Sequence, residues 1–280
     1  MTEKILIVGC GDLGVELAHQ LQTQGLMPIG LRRTLSLDSS FECIQADVTQ
    51  TSSLLVVSNL NPDYLVYCVA ASAQSDDSYR QHYVEGLRNV LKALVGATNL
   101  KHVFFVSSTR MYGQTTEVLL DENTIPQEMD FGGQRLLEAE NLLKHAGQPW
   151  KHTSLRLTGI YGPGRNRMLN LASNHSNWPA QNIWTNRIHR DDAAAFIVHL
   201  IRMLLNGDTA QDCYVVTDNN PVSQYEVLHW IAGQMGMEVS SEVPEVVGGK
   251  RMSNQRMLST GFLLQYPDYK LGYSVMLKTV

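Results

Sequence analysis

No run of apolar residues in this chain reaches the eighteen or more that span a bilayer, so a helical membrane protein is excluded and no membrane partner is expected. The opening Met1-Thr2-Glu3-Lys4 leads straight into a strand-like run without the basic, apolar and small-residue regions of a signal peptide, and the expected compartment is the cytoplasm. Basic stripes are missing too. The 22 Lys and Arg residues are scattered against 27 Asp and Glu, a net charge of −5, so nucleic acid is not an expected partner. Cysteine is scarce: Cys10, Cys43, Cys68 and Cys213 form no CxxC pair, and three of them fall in strand-like runs where the residue acts as a small buried hydrophobe. The nine histidines include no HxxxH or HxH pair, so no metal site is expected.

What the chain does contain is 44% hydrophobic residues over 280 positions, enough for one large α/β domain or for a domain with a smaller lobe. Lys4-Ile5-Leu6-Ile7-Val8 is a nearly continuous apolar run bounded by glycine, the pattern of a strand covered on both faces. Leu13, Leu17 and Leu21 follow at helical spacing, with Gly25 as the stop. Further strands are predicted at Met27–Leu31, Cys43–Ala46, Tyr64–Ala70 and His102–Val106, with a helix carrying Val84, Leu87, Leu91 and Leu94 before the last of them. A helix over about 134–145 precedes Gly147, and Ser154–Leu157 and Cys213–Val216 read as later strands. This alternation predicts a doubly wound parallel α/β sheet.

Residues 165–187 are polar, hold two of the four tryptophans and show little periodicity, which suits a substrate-facing insertion. Asp191-Asp192 opens an apolar helix with carboxylates at its positive end, and Ser223-Gln224-Tyr225-Glu226 has capping-box spacing for a helix to about Gly236. The expected division is a dinucleotide-binding domain from 1–164 plus 188–218, with 165–187 plus 219–280 as a small C-terminal substrate lobe.

Gly9-Cys10-Gly11-Asp12-Leu13-Gly14 leaves the first strand and enters the first helix, the context that gives GxGxxG its meaning. Gly9 permits the tight turn, Gly11 lets the backbone approach a pyrophosphate and Gly14 allows close helix-to-strand packing, while the amides at Asp12 and Leu13 begin the positive end of the helix. The alternative is a tight βα turn without ligand. An NAD site ends its second strand in Asp or Glu, which accepts from the adenosine ribose; here Arg32 and Arg33 stand there instead. Two guanidiniums attract a 2′-phosphate, so NADP(H) is expected over NAD(H), unless both are solvated surface arginines. Asp47, after the third strand, and Ala70, closing the fourth, complete the candidate cofactor set.

With this loop placed, the other motifs resemble the extended short-chain dehydrogenase/reductase superfamily of NAD(P)-dependent epimerases and dehydratases, whose sheet is a Rossmann fold. Val84 to Val90 is similar to its helix after the fourth strand, with Tyr83 where Asn is usual, and Phe105-Val106-Ser107-Ser108-Thr109-Arg110-Met111-Tyr112-Gly113 to its active-site Ser/Thr segment. Leu155 to Gly164 resembles the strand and turn beside the nicotinamide, and Ile188-His189-Arg190-Asp191-Asp192 a later helix start. The stretch from Ser253-Asn254 through Gly261-Phe262 and Tyr266-Pro267 to Gly272-Tyr273 resembles an atypical branch labelled NAD(P)-binding or epimerase-like.

The resemblance implies a Tyr and, four residues later, a Lys that move a proton while the nicotinamide moves hydride. This chain lacks the pair. The region reads Phe131-Gly132-Gly133-Gln134-Arg135, so Phe131 takes the tyrosine place and Arg135 the lysine place; a shift by one leaves Gly132 and Leu136. Phenylalanine cannot transfer a proton, whereas Arg135 retains a cation able to hold the nicotinamide ribose. Ser108 is the substrate-binding Ser/Thr by resemblance, or else a hydroxyl satisfied by backbone. Tyr112 and Tyr161 are candidate replacement hydroxyls, or else packed rings with anchored OH groups. His189 is either a group titrating near neutral pH or a structural helix-start histidine.

Two functions are therefore expected as alternatives. One is an NADP(H)-dependent epimerase/dehydratase-like oxidoreductase acting on a small polar, nucleotide-sugar-like substrate. The other is a non-catalytic NADP(H)-binding or redox-sensing protein. The resemblance also implies a homodimer.

Overall fold

Ile5, Leu6, Ile7 and Val8 are wholly shielded from solvent, as a strand covered on both faces must be. In the computed structural model, which describes residues 2–35, 40–127, 129–238 and 242–278, this run is β1 (Lys4–Val8). Along the chain follow α1 (Asp12–Thr23), β2 (Met27–Arg32), β3 (Glu42–Gln45), β4 (Tyr64–Tyr67), α2 (Asp76–Tyr79), a π-helical segment Arg80–Glu85, α3 (Gly86–Ala93), β5 (His102–Ser108), β6 (Leu119–Leu120) and α4 (Phe131–Lys144). Then come β7 (Lys151–Leu157), β8 (Gly159–Tyr161), α5 (Arg167–Ala172), β9 (Asn182–Thr185), β10 (Arg187–His189), α6 (Arg190–Leu205) and β11 (Cys213–Val216). The chain ends with β12 (Val222–Ser223), α7 (Gln224–Gln234), β13 (Val246–Gly249), β14 (Arg251–Met252), α8 (Gln255–Leu258) and α9 (Tyr269–Leu277).

Seven strands form the predicted parallel sheet in the order β11-β7-β5-β4-β1-β2-β3. In register, Ile5 faces Pro28 of β2 and Tyr64 of β4, and Tyr64 faces His102 of β5. The order reverses between β1 and β4. That reversal opens a crevice at the carboxyl ends of these two strands, where ligands of doubly wound sheets sit. α1 lays Leu13, Leu17, Ala18 and Leu21 against the sheet and stops at Gly25, whose φ of +72° lies in the left-handed region.

Several element ends differ from expectation, each for a local reason. β4 ends at Tyr67 rather than Ala70: its last ladder bond runs from the Cys68 N–H to the Val8 carbonyl at 2.8 Å, and beyond it β1 has turned away at Gly9. β5 continues to Ser108, two residues past Val106. α4 begins at Phe131, three residues before Gln134, because Asp130 caps it by accepting the Gly133 N–H at 2.8 Å. The Ser223 cap of α7 is present, accepting the Glu226 N–H at 3.2 Å.

Two compact units emerge, residues 1–113, 127–156 and 194–214 in one and 114–126, 157–193 and 215–280 in the other, a division that differs from the expected breaks at 164, 187 and 218. In the second unit β8 pairs with β10, and β9 lies between β12 and β13. Its apolar core joins Leu169, Ala172 and Trp178 to Val227, Leu228, Ile231, Tyr269, Tyr273 and Met276. The stretch 165–187 supplies α5, β9 and part of this core. Among the described residues, no helix is long and apolar enough to cross a membrane.

Candidate functional site

The glycines of the first turn meet three different constraints. Gly9 has φ +94°, and a Cβ there would lie 2.5 Å from the Val69 nitrogen, so the turn presses directly on the end of β4. A Cβ at Gly14 would lie 2.9 Å from the Gly9 carbonyl oxygen and 3.2 Å from Ile7, the close helix-to-strand contact anticipated for the third glycine. Around Gly11 a Cβ would meet nothing within 4 Å. Gly11 is also the cap position of α1 and brings no side chain of its own to that helix start. Open space over Gly11 and a close backbone at the start of α1 together fit a pyrophosphate.

Beneath this loop the thiols of Cys10 and Cys43 both crowd Gly30, each 2.9 Å from where its Cβ would stand. Burial, assisted by Cys43, pushes the Cys10 thiol up to about 12, so it stays protonated beside the loop. Arg32 closes β2 half-buried and close enough to Cys10 to oppose that shift, whereas Arg33 is exposed. The Asp47 carboxyl is raised by burial but lowered further by the Thr49 N–H and hydroxyl, at 2.9 and 2.8 Å, and by Arg33, so it lies below its ordinary range. Ala70 is exposed just past β4. These cofactor candidates line the carboxyl ends of β1, β2, β3 and β4.

On the other side of the crevice, the structure disperses the candidate catalytic residues. Ser108 ends β5, and its Oγ accepts the Arg110 N–H at 3.2 Å, the backbone partner of its second alternative. Tyr112 is fully buried; its hydroxyl accepts from Arg156 Nη1, and Glu140 grips Arg156 through Nε and Nη2, the latter at 2.7 Å. Burial raises its hydroxyl pKa despite Arg156, and the ring is packed with its hydroxyl anchored. Arg135 points its fork at Asp76, with Nε and Nη2 at 2.8 and 2.9 Å, and gives Nη1 to Glu138 at 2.7 Å.

Phe131 opens α4 with its ring 5.4 Å from that of Tyr79, edge to face. The Arg110 guanidinium lies over both, 5.0 Å from the Phe131 centroid and 4.8 Å from that of Tyr79. Sequence reading missed Tyr79, Arg110 and Asp130. Arg110 lay inside the quoted Ser/Thr segment and Asp130 was legible as an N-cap, but the Tyr79 contact spans 52 positions and has no local signal.

Tyr161 belongs to the second unit. It is buried, its hydroxyl donates weakly to the Asp268 carbonyl at 3.4 Å, and burial raises its pKa. Nearby, Asp218 is 1% exposed and burial lifts its carboxyl to about 7, against Arg187 and the Asn220 N–H. Its Oδ2 and the Arg187 Nη1 are buried without a hydrogen-bond partner. His189, stacked on Tyr266 at 3.7 Å, is driven down to about 4 by burial.

The glycine turn, the switch-point sheet and the later strands all fall within residues 5–216, which the sequence model of the NAD dependent epimerase/dehydratase family matches. The chain belongs to that family. A Methylobacillus flagellatus protein named for the NAD-dependent epimerase/dehydratase group is 47% identical, with a TM-score of 0.92 over 100% of this chain and 99% of its own. Protein YeeZ of Escherichia coli K12 is 25% identical over 284 residues, covering 95% of this chain and 97% of YeeZ. The Bordetella bronchiseptica enzyme WbmG, solved in complex with NAD and UDP, shares the fold at 18% identity, with a TM-score of 0.81 over 99% of this chain and 94% of WbmG. Family membership accounts for the turn and sheet.

Proposed function

We propose that this family member is an NADP(H)-dependent oxidoreductase of epimerase/dehydratase type that acts in the cytoplasm on a small polar substrate. The observation that carries the reading is the turn at Gly9, Gly11 and Gly14, with open space over Gly11 where the chain enters α1. The amides at Asp12, Leu13 and Gly14 would hold the pyrophosphate, Arg32 and Arg33 the 2′-phosphate, and Asp47 and Ala70 the adenosine side. Bound there, the cofactor supplies hydride chemistry. The residues of this chain supply orientation and a proton, with Ser108 facing the substrate oxygen. The UDP of WbmG makes a nucleotide-sugar the first substrate class to try, and a homodimer through α3 and α4 belongs to the same reading.

A second reading, a non-catalytic NADP(H) binder, is favoured by one arrangement: phenylalanine in the tyrosine place under Arg110, with the Arg135 fork directed at Asp76 and Glu138. The two part on one assay. NADPH oxidation is followed with a panel of carbonyl compounds and nucleotide-sugars; turnover with at least one member is expected. Absence of turnover throughout, together with unequal affinity for NADP⁺ and NADPH, would replace the enzyme by the sensor.

A further inference from the structure

Tyr79 is the phenol that stands against Phe131. Its ring is buried, but its hydroxyl accepts the Arg110 Nη1–H at 2.5 Å and donates to Gln74 Oε1 at 3.2 Å. Gln74 is exposed and the Arg110 side chain 29% exposed, so this phenol tip lies just beneath solvent-facing groups, unlike that of Tyr112.

The surroundings are built around the pair. Asp130 grips Arg110 through Nε at 2.9 and 3.1 Å and through Nη2 at 2.7 Å, and holds the guanidinium pKa above its ordinary value. A Cβ at Gly132 would fall 2.5 Å from Arg110 Nε, so the residue beside Phe131 has to be small for the guanidinium to lie where it does. Tyr79 follows β4 and Arg110 follows β5, adjacent strands of the sheet, and both stand at its carboxyl edge near the switch point. The π-helical segment Arg80–Glu85 directly after Tyr79 is a form that concentrates at functional sites.

We propose that Tyr79 and Arg110 form the proton-transfer pair of this site, an assignment that rests on the oxidoreductase reading above. In the reductive direction a bound NADPH would supply the hydride taken up by the substrate carbonyl carbon, leaving NADP⁺. The carbonyl π pair moves to oxygen, the Tyr79 O–H bond breaks and the O–H bond of the alcohol forms. The phenolate so left is stabilised by the charge-assisted hydrogen bond from Arg110 Nη1 and recovers a proton from water. Arg110 acts as a positioning residue and Tyr79 as the catalytic one.

The test compares the wild-type protein with Tyr79→Phe, Arg110→Gln and Arg110→Lys on any carbonyl compound that the wild type reduces. Tyr79→Phe is expected to lower kcat by about 100-fold or more, the scale of general acid catalysis, with melting temperature and NADPH affinity unchanged. Without turnover, calorimetry of the same ketone binding to the NADP⁺ complex is expected to show about a five-fold loss in Tyr79→Phe, one neutral hydrogen bond. Arg110→Gln should lose kcat, and Arg110→Lys should recover part of it. Undiminished kcat in Tyr79→Phe overturns this assignment alone, and loss of NADPH affinity with melting temperature marks Tyr79 as structural and overturns it as well. No hydride transfer by the wild type overturns the oxidoreductase reading and this pair with it.

Discussion

Gly9 and Gly11 stand two positions apart and answer to opposite requirements. At Gly9 a side chain would meet Val69 at 2.5 Å from a backbone with φ +94°, so Gly9→Ala is expected to cost about 3 kcal/mol or more and to lower the melting temperature or the folded yield sharply. At Gly11 the same methyl group would meet no protein atom within 4 Å. Gly11→Ala is therefore expected to change stability by less than about 0.5 kcal/mol, as surface substitutions do, while weakening NADPH binding at least ten-fold. Denaturation and fluorescence titration of the two variants separate fold from ligand; equal effects on both measures would refute this division. The glycine spacing was legible in the sequence because the turn is local. Which glycine touches protein and which faces open space was not, because Val69 arrives from the segment just past β4.

At the scale of elements, apolar alternation located the strands and helices, while their ends were set by partners from elsewhere. Ala70 looked like the close of a strand until the turn at Gly9 removed its ladder partner. The Gly132-Gly133 pair obscured the first turn of α4, which holds because Asp130 caps it. Asp130→Ala is expected to destabilise the protein by about 1–2 kcal/mol through the lost cap, with the half-exposed ion pair to Arg110 adding little. Asp130→Asn, which keeps an acceptor for the Gly133 N–H, should recover most of that in urea denaturation. Equal loss in the two variants would place the stabilisation in the charge rather than in the cap.

Across the whole molecule, the glycine turn and the strands of the parallel sheet were readable because each is built from contiguous residues, whereas the Tyr79–Arg110–Phe131 cluster and the Asp218 environment are assembled from distant ones. Asp218 gives the molecule a testable pH response. Its folded pKa, about 7, lies above that of a carboxyl in the unfolded chain, so its contribution to stability is fully present below about pH 4 and is lost as the pH rises through 7. Asp218→Asn should remove that decline, leaving the variant with a higher melting temperature than the wild type at pH 8 and no such advantage at pH 4. A constant difference between the two across this range would contradict the buried-acid assignment. The central claim, that the turn and its two arginines bind NADP(H), is tested most directly by equilibrium titration of NADPH, NADP⁺, NADH and NAD⁺ on the wild type, Arg32→Ala and Arg33→Ala. The account predicts binding of the phosphorylated cofactors tighter by about ten-fold or more, the worth of one charged hydrogen bond, and a preference that shrinks when an arginine is removed. Tighter binding of NADH than NADPH, or a preference untouched by both substitutions, would contradict it.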